Sequence, residues 1–368
     1  MSFVPQLLRE GKLKKNISAR LARYEEIASG KQLPRYLIAK EVKCDFRLSD
    51  ETDDLWQLHD ELVAGMKNKT ESSGSSNLLQ LKAELADRIL SKCNLCERKC
   101  DADRKHGEKG KCGVLEARIS SEFIHMGEEP EIIPSYTIFF SGCTFKCVFC
   151  QNWDISTHPE AGRIISSHDL AKMIEDKDTI LQQQSKRTRD IYDSFPFRRP
   201  SFAKNVNWVG GEPTSNLPFI LKTLAACDSR LPQVWNSNMY LTKDSMKLLD
   251  GIIDLYLTDF KYGNDNCAKR LSGIDNYFEV IARNHSIATN QCDALVRHLV
   301  LPNHIECCTR PILEWIERHT SDVVVNIMAQ YRPEHRADEF KDISKPLTNQ
   351  EFCKALKIGE DLGLNLTS

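Results

Sequence analysis

From residue 135 onward, short apolar runs alternate with helical segments, and this alternation restricts the possible folds more than any other feature of the chain. The strand candidates are TIFFS (137–141), NVNWV (205–209), QVWN (233–236), LYLTD (255–259), ALVRHLV (294–300) and VVVNIM (323–328). Helix candidates lie between and after them, near 168–184, 215–227, 243–251, 276–289, 309–318 and 349–362. Ser166 with Asp169, Thr242 with Ser245, and Thr348 with Glu351 offer N-caps, the last as a capping box. Repeated strand–helix units require parallel strands joined by right-handed crossovers. Six units predict an α/β fold, an incomplete (β/α)6 TIM-like barrel, in which reactive residues belong at the C-terminal ends of the strands.

The rest of the chain reads as additions to that core. Residues 1–67 are expected to form an N-terminal helical extension, with Leu55, Leu58, Leu62 and Val63 recurring at helical spacing in DDLWQLHDELVAGM. NKTESSGSSN, residues 68–77, has the composition of a flexible linker. Residues 78–130 comprise a helix and a small Cys-rich module, and residues 131–368 the partial barrel. The stretch 181–204 is too long for an ordinary αβ connection of about two to six residues. It carries Tyr192, Phe195, Phe197, Arg198 and Arg199 and reads as a substrate lid, a partner-docking loop or a solvated insertion.

Fourteen cysteines in 368 residues need an explanation. A chain this long buries a sizeable core without disulfide staples, and no secretory apolar stretch opens it, so reduced thiolates in a cytoplasmic protein are expected. No apolar run reaches the ~20 residues of a membrane span. Fifty basic and 52 acidic residues, a net charge of -2, give no strong nucleic-acid signal.

Cys143, Cys147 and Cys150 form a C-x3-C-x2-C run just beyond the first strand candidate. Thiolates are soft ligands; three of them suit one face of a [4Fe–4S] cubane and leave the fourth iron open to a small molecule. Upstream, Cys93, Cys96, Cys100 and Cys112 supply four thiolates, enough to close a zinc site or hold a complete cluster. His106 in the same loop reads as solvent-exposed. The other seven cysteines share no spacing, and the adjacent Cys307 and Cys308 are the one pair among them with redox chemistry to test.

With this triad behind its first strand, the sequence resembles the radical S-adenosylmethionine (SAM) superfamily over residues 114–365. VGGEPT, with Gly210, Gly211, Glu212 and Pro213, is similar to the family's glycine-rich SAM motif: the glycines admit close backbone approach, and the carboxylate accepts hydrogen bonds from an ammonium group. The resemblance implies further SAM contacts at Phe149, Asn236, Asn238, Asp259, Lys261, Arg297 and His298, with Leu299–Pro302 along the adenine.

It also implies a [4Fe–4S] cluster that cleaves SAM reductively to a 5′-deoxyadenosyl radical, and a flavodoxin- or ferredoxin-like electron donor. HMGEEPEIIPSYTIFFSGCTFKCVFCQNWDIS and IMAQYRPEHRADEF resemble the PflX-like branch, related to the pyruvate formate-lyase activating enzymes. The expected reaction is hydrogen abstraction from a small molecule. The alternatives are an activase that generates a glycyl radical on a partner protein, and a non-catalytic iron–sulfur or zinc interaction protein.

Overall fold

All six expected strands form, and the alternation of their side chains explains what they enclose. The computed structural model describes residues 17, 19–68, 72–184 and 203–367, and for 179–184 the backbone alone. The main sheet contains β1 (Ile119–His125), β2 (Ser135–Phe140), β3 (Asn205–Gly210), β4 (Gln233–Ser237), β5 (Leu255–Asp259), β6 (Asp293–Leu299), β7 (Val324–Met328) and β8 (Asn365–Thr367), adjacent in that order. From β2 to β8 every pairing is parallel, while β1 pairs antiparallel with β2 at the edge. Among the described residues the main sheet thus has eight strands where six were expected. ISSEFIH interleaves polar with apolar residues, and NLT is three residues long, so neither has the continuous apolar run of a doubly covered strand.

Eleven helices of seven or more residues are present among the described residues: α1 (Ala22–Ala28), α2 (Arg35–Glu41), α3 (Thr52–Asn68), α4 (Leu78–Ile89), α5 (Ser167–Gln184), α6 (Leu217–Ala226), α7 (Lys243–Leu249), α8 (Asp265–Ser272), α9 (Tyr277–Gln291), α10 (Arg310–His319) and α11 (Asn349–Asp361). The three expected caps are made: the backbone N–H of Asp169 donates to Ser166 Oγ at 3.0 Å, that of Ser245 to Thr242 Oγ1 at 3.3 Å, and Thr348 with Glu351 closes a capping box. No helix among the described residues is long and apolar enough to cross a membrane.

The sheet is curled. Glu128 accepts from Asn207 Nδ2 on β3 at 3.1 Å, while the neighbouring Glu129 accepts from Arg297 Nε on β6 at 2.7 Å and Asn326 Nδ2 on β7 at 2.8 Å. Strands about 4.8 Å apart in a flat sheet would hold β3 and β7 too far apart for two adjacent side chains to reach both. The segment joining β1 to β2 therefore runs inside a partial barrel.

Within that barrel the inward positions divide by height. Val234, Leu255, Leu257, Leu295 and Val324, toward the N-terminal ends of their strands, pack with Ile132 and with Ile17, Leu21 and Tyr24 of the N-terminal segment. Tyr24 seals this floor: its N–H donates to Asp293 Oδ2 at 2.9 Å and its hydroxyl accepts from Asn205 Nδ2 at 2.8 Å. The same strands turn polar or charged above it, at Asn236, Asp259, Arg297 and Asn326.

The stretch expected as a flexible linker is tied down over 72–77, because Ser76–Asn77 pairs with Lys43–Cys44 and Ser75 binds Asp45 through both N–H and Oγ at 2.8 Å. A Cβ at Gly74 would lie 2.2 Å from the Cys44 backbone, so glycine here serves close packing. Residues 69–71, and 185–202 of the 181–204 insertion, lie outside the described residues.

Candidate metal and cofactor site

The C-terminal end of β2 runs directly into the cysteine triad. Its loop is clamped by backbone bonds from Lys146 N to Ser272 O at 3.1 Å and from Val148 N to Leu271 O at 2.9 Å, both at the end of α8. All three cysteines line one cavity of about 420 Å³ at the C-terminal ends of the strands. That volume lies within the roughly 300–1,000 Å³ of small-molecule sites.

Each sulfur already has a polar neighbour: Phe145 N donates to Cys143 Sγ at 3.3 Å, Ser272 Oγ to Cys147 Sγ at 2.9 Å, and Ser156 Oγ lies 3.4 Å from Cys150 Sγ. Burial, reinforced by Glu212, pushes the Cys143 thiol well up, and burial with Cys150 raises Cys147 to about 11 against the pull of Lys261. These thiols stay protonated until a positive metal centre displaces their protons.

Of the residues expected to hold SAM, Phe149, Gly210, Gly211, Glu212, Asn236, Asn238, Asp259, Lys261 and Arg297 line this cavity. His298 does not. Successive strand residues face opposite sides, so with Arg297 inward His298 points out, where Nδ1 lies 2.8 Å from Phe260 O and Nε2 lies 2.9 Å from Thr309 Oγ1. The expectation for His298 is corrected accordingly.

Three of these residues take roles beyond those read from the sequence. A Cβ at Gly210 would meet Phe140 N at 2.1 Å and one at Gly211 would meet Gly142 O at 2.1 Å, so these glycines let β3 press against β2 and the triad loop. Glu212 is 1% exposed, and its Oε1 accepts from Thr214 N, Thr214 Oγ1 and Ser237 Oγ at 3.2, 2.6 and 2.7 Å. Its Oε2 accepts from Asn238 N at 2.9 Å, which leaves one lone pair for a ligand. The carboxylate is first a strut between the ends of β3 and β4.

Lys261 donates to Asp259 Oδ2 at 2.5 Å. Burial opposes its charge, but Asp259 and the neighbouring cysteines outweigh that and raise its pKa. Phe149 is fixed edge-on between Tyr262, at 6.4 Å, and Tyr331, at 5.8 Å.

Glu128 and Glu129 were not singled out from the sequence. Both bind Arg297, whose charge they stabilise against its burial. Burial alone would raise the Glu128 carboxyl; His125 and Arg297 prevail and hold it at about 2. The signal was an adjacent pair of acids in GEEPEIIP, a stretch of three glutamates among apolar residues and prolines. Met328 and Gln330 also line the cavity.

The four upstream cysteines surround a small space of about 10 Å³ beside this site, with Cys93, Cys96 and Cys112 buried and Cys100 half-buried. Their loop is bonded to the barrel: Glu97 N donates to Tyr240 O at 3.0 Å and Thr242 N to Leu95 O at 3.2 Å. Arg98 Nε reaches Thr144 O, the residue after Cys143, at 3.1 Å. His106 is an exposed partner of Asp103, as expected for a solvent-facing side chain. Among the described residues, neither this set nor the triad brings three ligand atoms within 4.8 Å of one another, although another group does.

The model of the radical SAM superfamily matches residues 137–316. An uncharacterized protein of Methanocaldococcus jannaschii is 41% identical over 359 residues, covering 94% of this chain and 99% of that protein. Among solved structures, SuiB of Streptococcus suis bound to the precursor peptide SuiA has a TM-score of 0.41 at 13% identity, over 61% of this chain and 46% of that one. A domain of pyruvate-formate lyase-activating enzyme from Bacteroides vulgatus has a TM-score of 0.36 at 16% identity, over 44% and 97%. Methylornithine synthase (PylB) has a TM-score of 0.39 at 12% identity, over 93% and 84%. Likenesses at this level bear on neither activity nor substrate.

Proposed function

We propose that this chain, whose residues 137–316 match the model of the radical SAM superfamily, is an enzyme that cleaves SAM to abstract hydrogen from a small-molecule substrate. The observation that carries this reading is the convergence of Cys143, Cys147 and Cys150 on one cavity whose other walls are the ends of β2 to β7. When bound, a [4Fe–4S] cluster with SAM on its open iron supplies one-electron cleavage of the sulfonium bond and a 5′-deoxyadenosyl radical.

The chain's own residues do the rest. The three thiolates hold the cluster, and Ser272, Ser156 and the Phe145 N–H offer hydrogen bonds that stabilise sulfur-borne charge. The spare acceptor of Glu212, with Asn236 and Asn238, suits the ammonium end of SAM. Asp259 and Lys261 offer both signs of charge to its ribose and carboxylate, and Phe149 and Leu299 give apolar surface to adenine. The sealed floor behind Tyr24 keeps water from the lower barrel.

The upstream cysteines complete the proposal as a second iron–sulfur site. Arg98 links their loop to the triad loop, which suits a cluster held there to pass on electrons from a flavodoxin- or ferredoxin-like donor. In lineage, the reading remains with the PflX-like branch.

Anaerobically reconstituted protein with dithionite should convert SAM to 5′-deoxyadenosine. Loss of one thiol of the triad should stop this, and cleavage persisting in Cys143→Ala would sink the proposal. Adding low-molecular-weight cell extract should raise 5′-deoxyadenosine output; a rise confined to the macromolecular fraction would replace the small-molecule reading with the activase one. Replacing Cys93, Cys96, Cys100 and Cys112 should lower iron and sulfide together, whereas loss of zinc instead would make that site a zinc knuckle.

A further inference from the structure

A separate group of thiols lies on the far side of α8. Cys267, in the first turn of α8, and His304, Cys307 and Cys308, at the helical turn Ile305–Thr309, lie about 40 residues apart in sequence, yet their ligand atoms all lie within 4.8 Å of one another. Cys267 Sγ stands 4.0 Å from Cys307 Sγ and 3.6 Å from His304 Nδ1. His304 Nδ1 stands 3.2 Å from Cys307 Sγ and 4.0 Å from Cys308 Sγ, and the two adjacent cysteines place their sulfurs 3.9 Å apart. Tetrahedral zinc with Zn–S bonds of about 2.3 Å and a Zn–N bond of about 2.0 Å sets its ligand atoms about 3.5–3.8 Å apart. The observed spacings bracket those values.

The surroundings are also those of a metal centre. His304 is 4% exposed, and its other ring nitrogen, Nε2, lies 3.0 Å from Asp342 Oδ2. A carboxylate there fixes the proton on Nε2 and leaves Nδ1 free to ligate, an arrangement found behind most metal-bound histidines. Asn264 caps α8 by accepting from Cys267 N at 2.9 Å, and its amide donates to Cys307 O at 2.8 Å and Cys267 Sγ at 3.3 Å. Gly263 lets the loops meet, since a Cβ there would lie 2.7 Å from Cys307 O.

We propose that Cys267, His304, Cys307 and Cys308 bind one structural zinc ion in a closed Cys3His tetrahedron. Soft thiolates with one imidazole select zinc, and four protein ligands leave no open position for catalysis. Binding ionises the three thiols, releases their protons and involves no electron transfer. The ion joins the loop after β5 to the loop after β6 and pins the start of α8. The end of that helix supplies Ser272 to Cys147, so zinc steadies the wall on which the cysteine triad rests.

Metal analysis of the purified full-length protein, with the triad and upstream cysteines intact, tests this directly. Cys307→Ser should lose about one equivalent of zinc per chain and keep its iron. Cys307 is exposed, so this variant is not expected to collapse a core. Asp342→Asn leaves all four ligands in place and should weaken zinc retention against a competing chelator by about 10–100-fold. Zinc content unchanged in Cys307→Ser would overturn the proposal, as would a Cys267–Cys307 or Cys307–Cys308 disulfide in wild-type protein purified under argon. Because the readout is zinc, a failure here is distinct from a failure of SAM cleavage.

Discussion

The cysteine triad and the Cys267–His304–Cys307–Cys308 group use the same soft ligands a few residues apart in space, on opposite ends of α8, yet they differ in what lies between the ligands. The triad faces a cavity of about 420 Å³, while the second group is drawn together within 4.8 Å. Spacing and open volume separate a centre that admits a ligand from one that only ties loops together. Residue type alone would have classed the two together.

The largest test of that contrast is a double dissociation. Cys147→Ala should abolish 5′-deoxyadenosine formation and lower iron while leaving zinc unchanged, and Cys307→Ser should do the reverse for metal content. Iron and zinc falling together in both variants would mean that the two sites are not independent.

Next in size is the charged layer under the cavity. Arg297→Leu strands Glu128 and Glu129, two carboxylates with 8% and 2% side-chain exposure, and should cost about 3–5 kcal/mol in urea unfolding. The same layer predicts acid sensitivity. With Glu128 held at about 2 in the fold and an unfolded value of about 4.3, its contribution is complete above the unfolded value and is lost as pH falls toward 2. Stability flat through that interval would place Glu128 elsewhere.

A smaller effect belongs to the zinc side. Glu351 of the α11 capping box accepts from Asn303 N at 2.7 Å, next to His304, so Thr348→Ala should cost about 1 kcal/mol in urea unfolding without removing zinc. The smallest expected change is at His298→Gln, which should leave the dissociation constant for SAM, measured by calorimetry, as it was. Weakened binding there would return this residue to the ligand face.

Much of the barrel was legible because each strand–helix unit carries a local signature: the six parallel strands fall within two residues of their expected bounds, and all three expected caps form. The helix Asp265–Ser272 escaped notice because its eight residues, DNCAKRLS, span barely two turns and are mostly polar. The triad and VGGEPT were likewise readable, since their chemistry lies in contiguous residues. His298 was misplaced because a strand end names two neighbours, and only the register with β5 and β7 decides which of them faces inward.

The sequence by itself determined the parallel α/β core and the C-x3-C-x2-C thiol set, because strand propensity, capping and short ligand spacing are local properties. Tertiary structure alone decided that Glu128 and Glu129 neutralise Arg297, that Glu212 braces two strand ends, and that Cys267 meets His304, Cys307 and Cys308. Each of these joins residues remote in the chain, and it is the closing of the curled sheet and its loops, driven by burial along the whole barrel, that brings them within bonding distance.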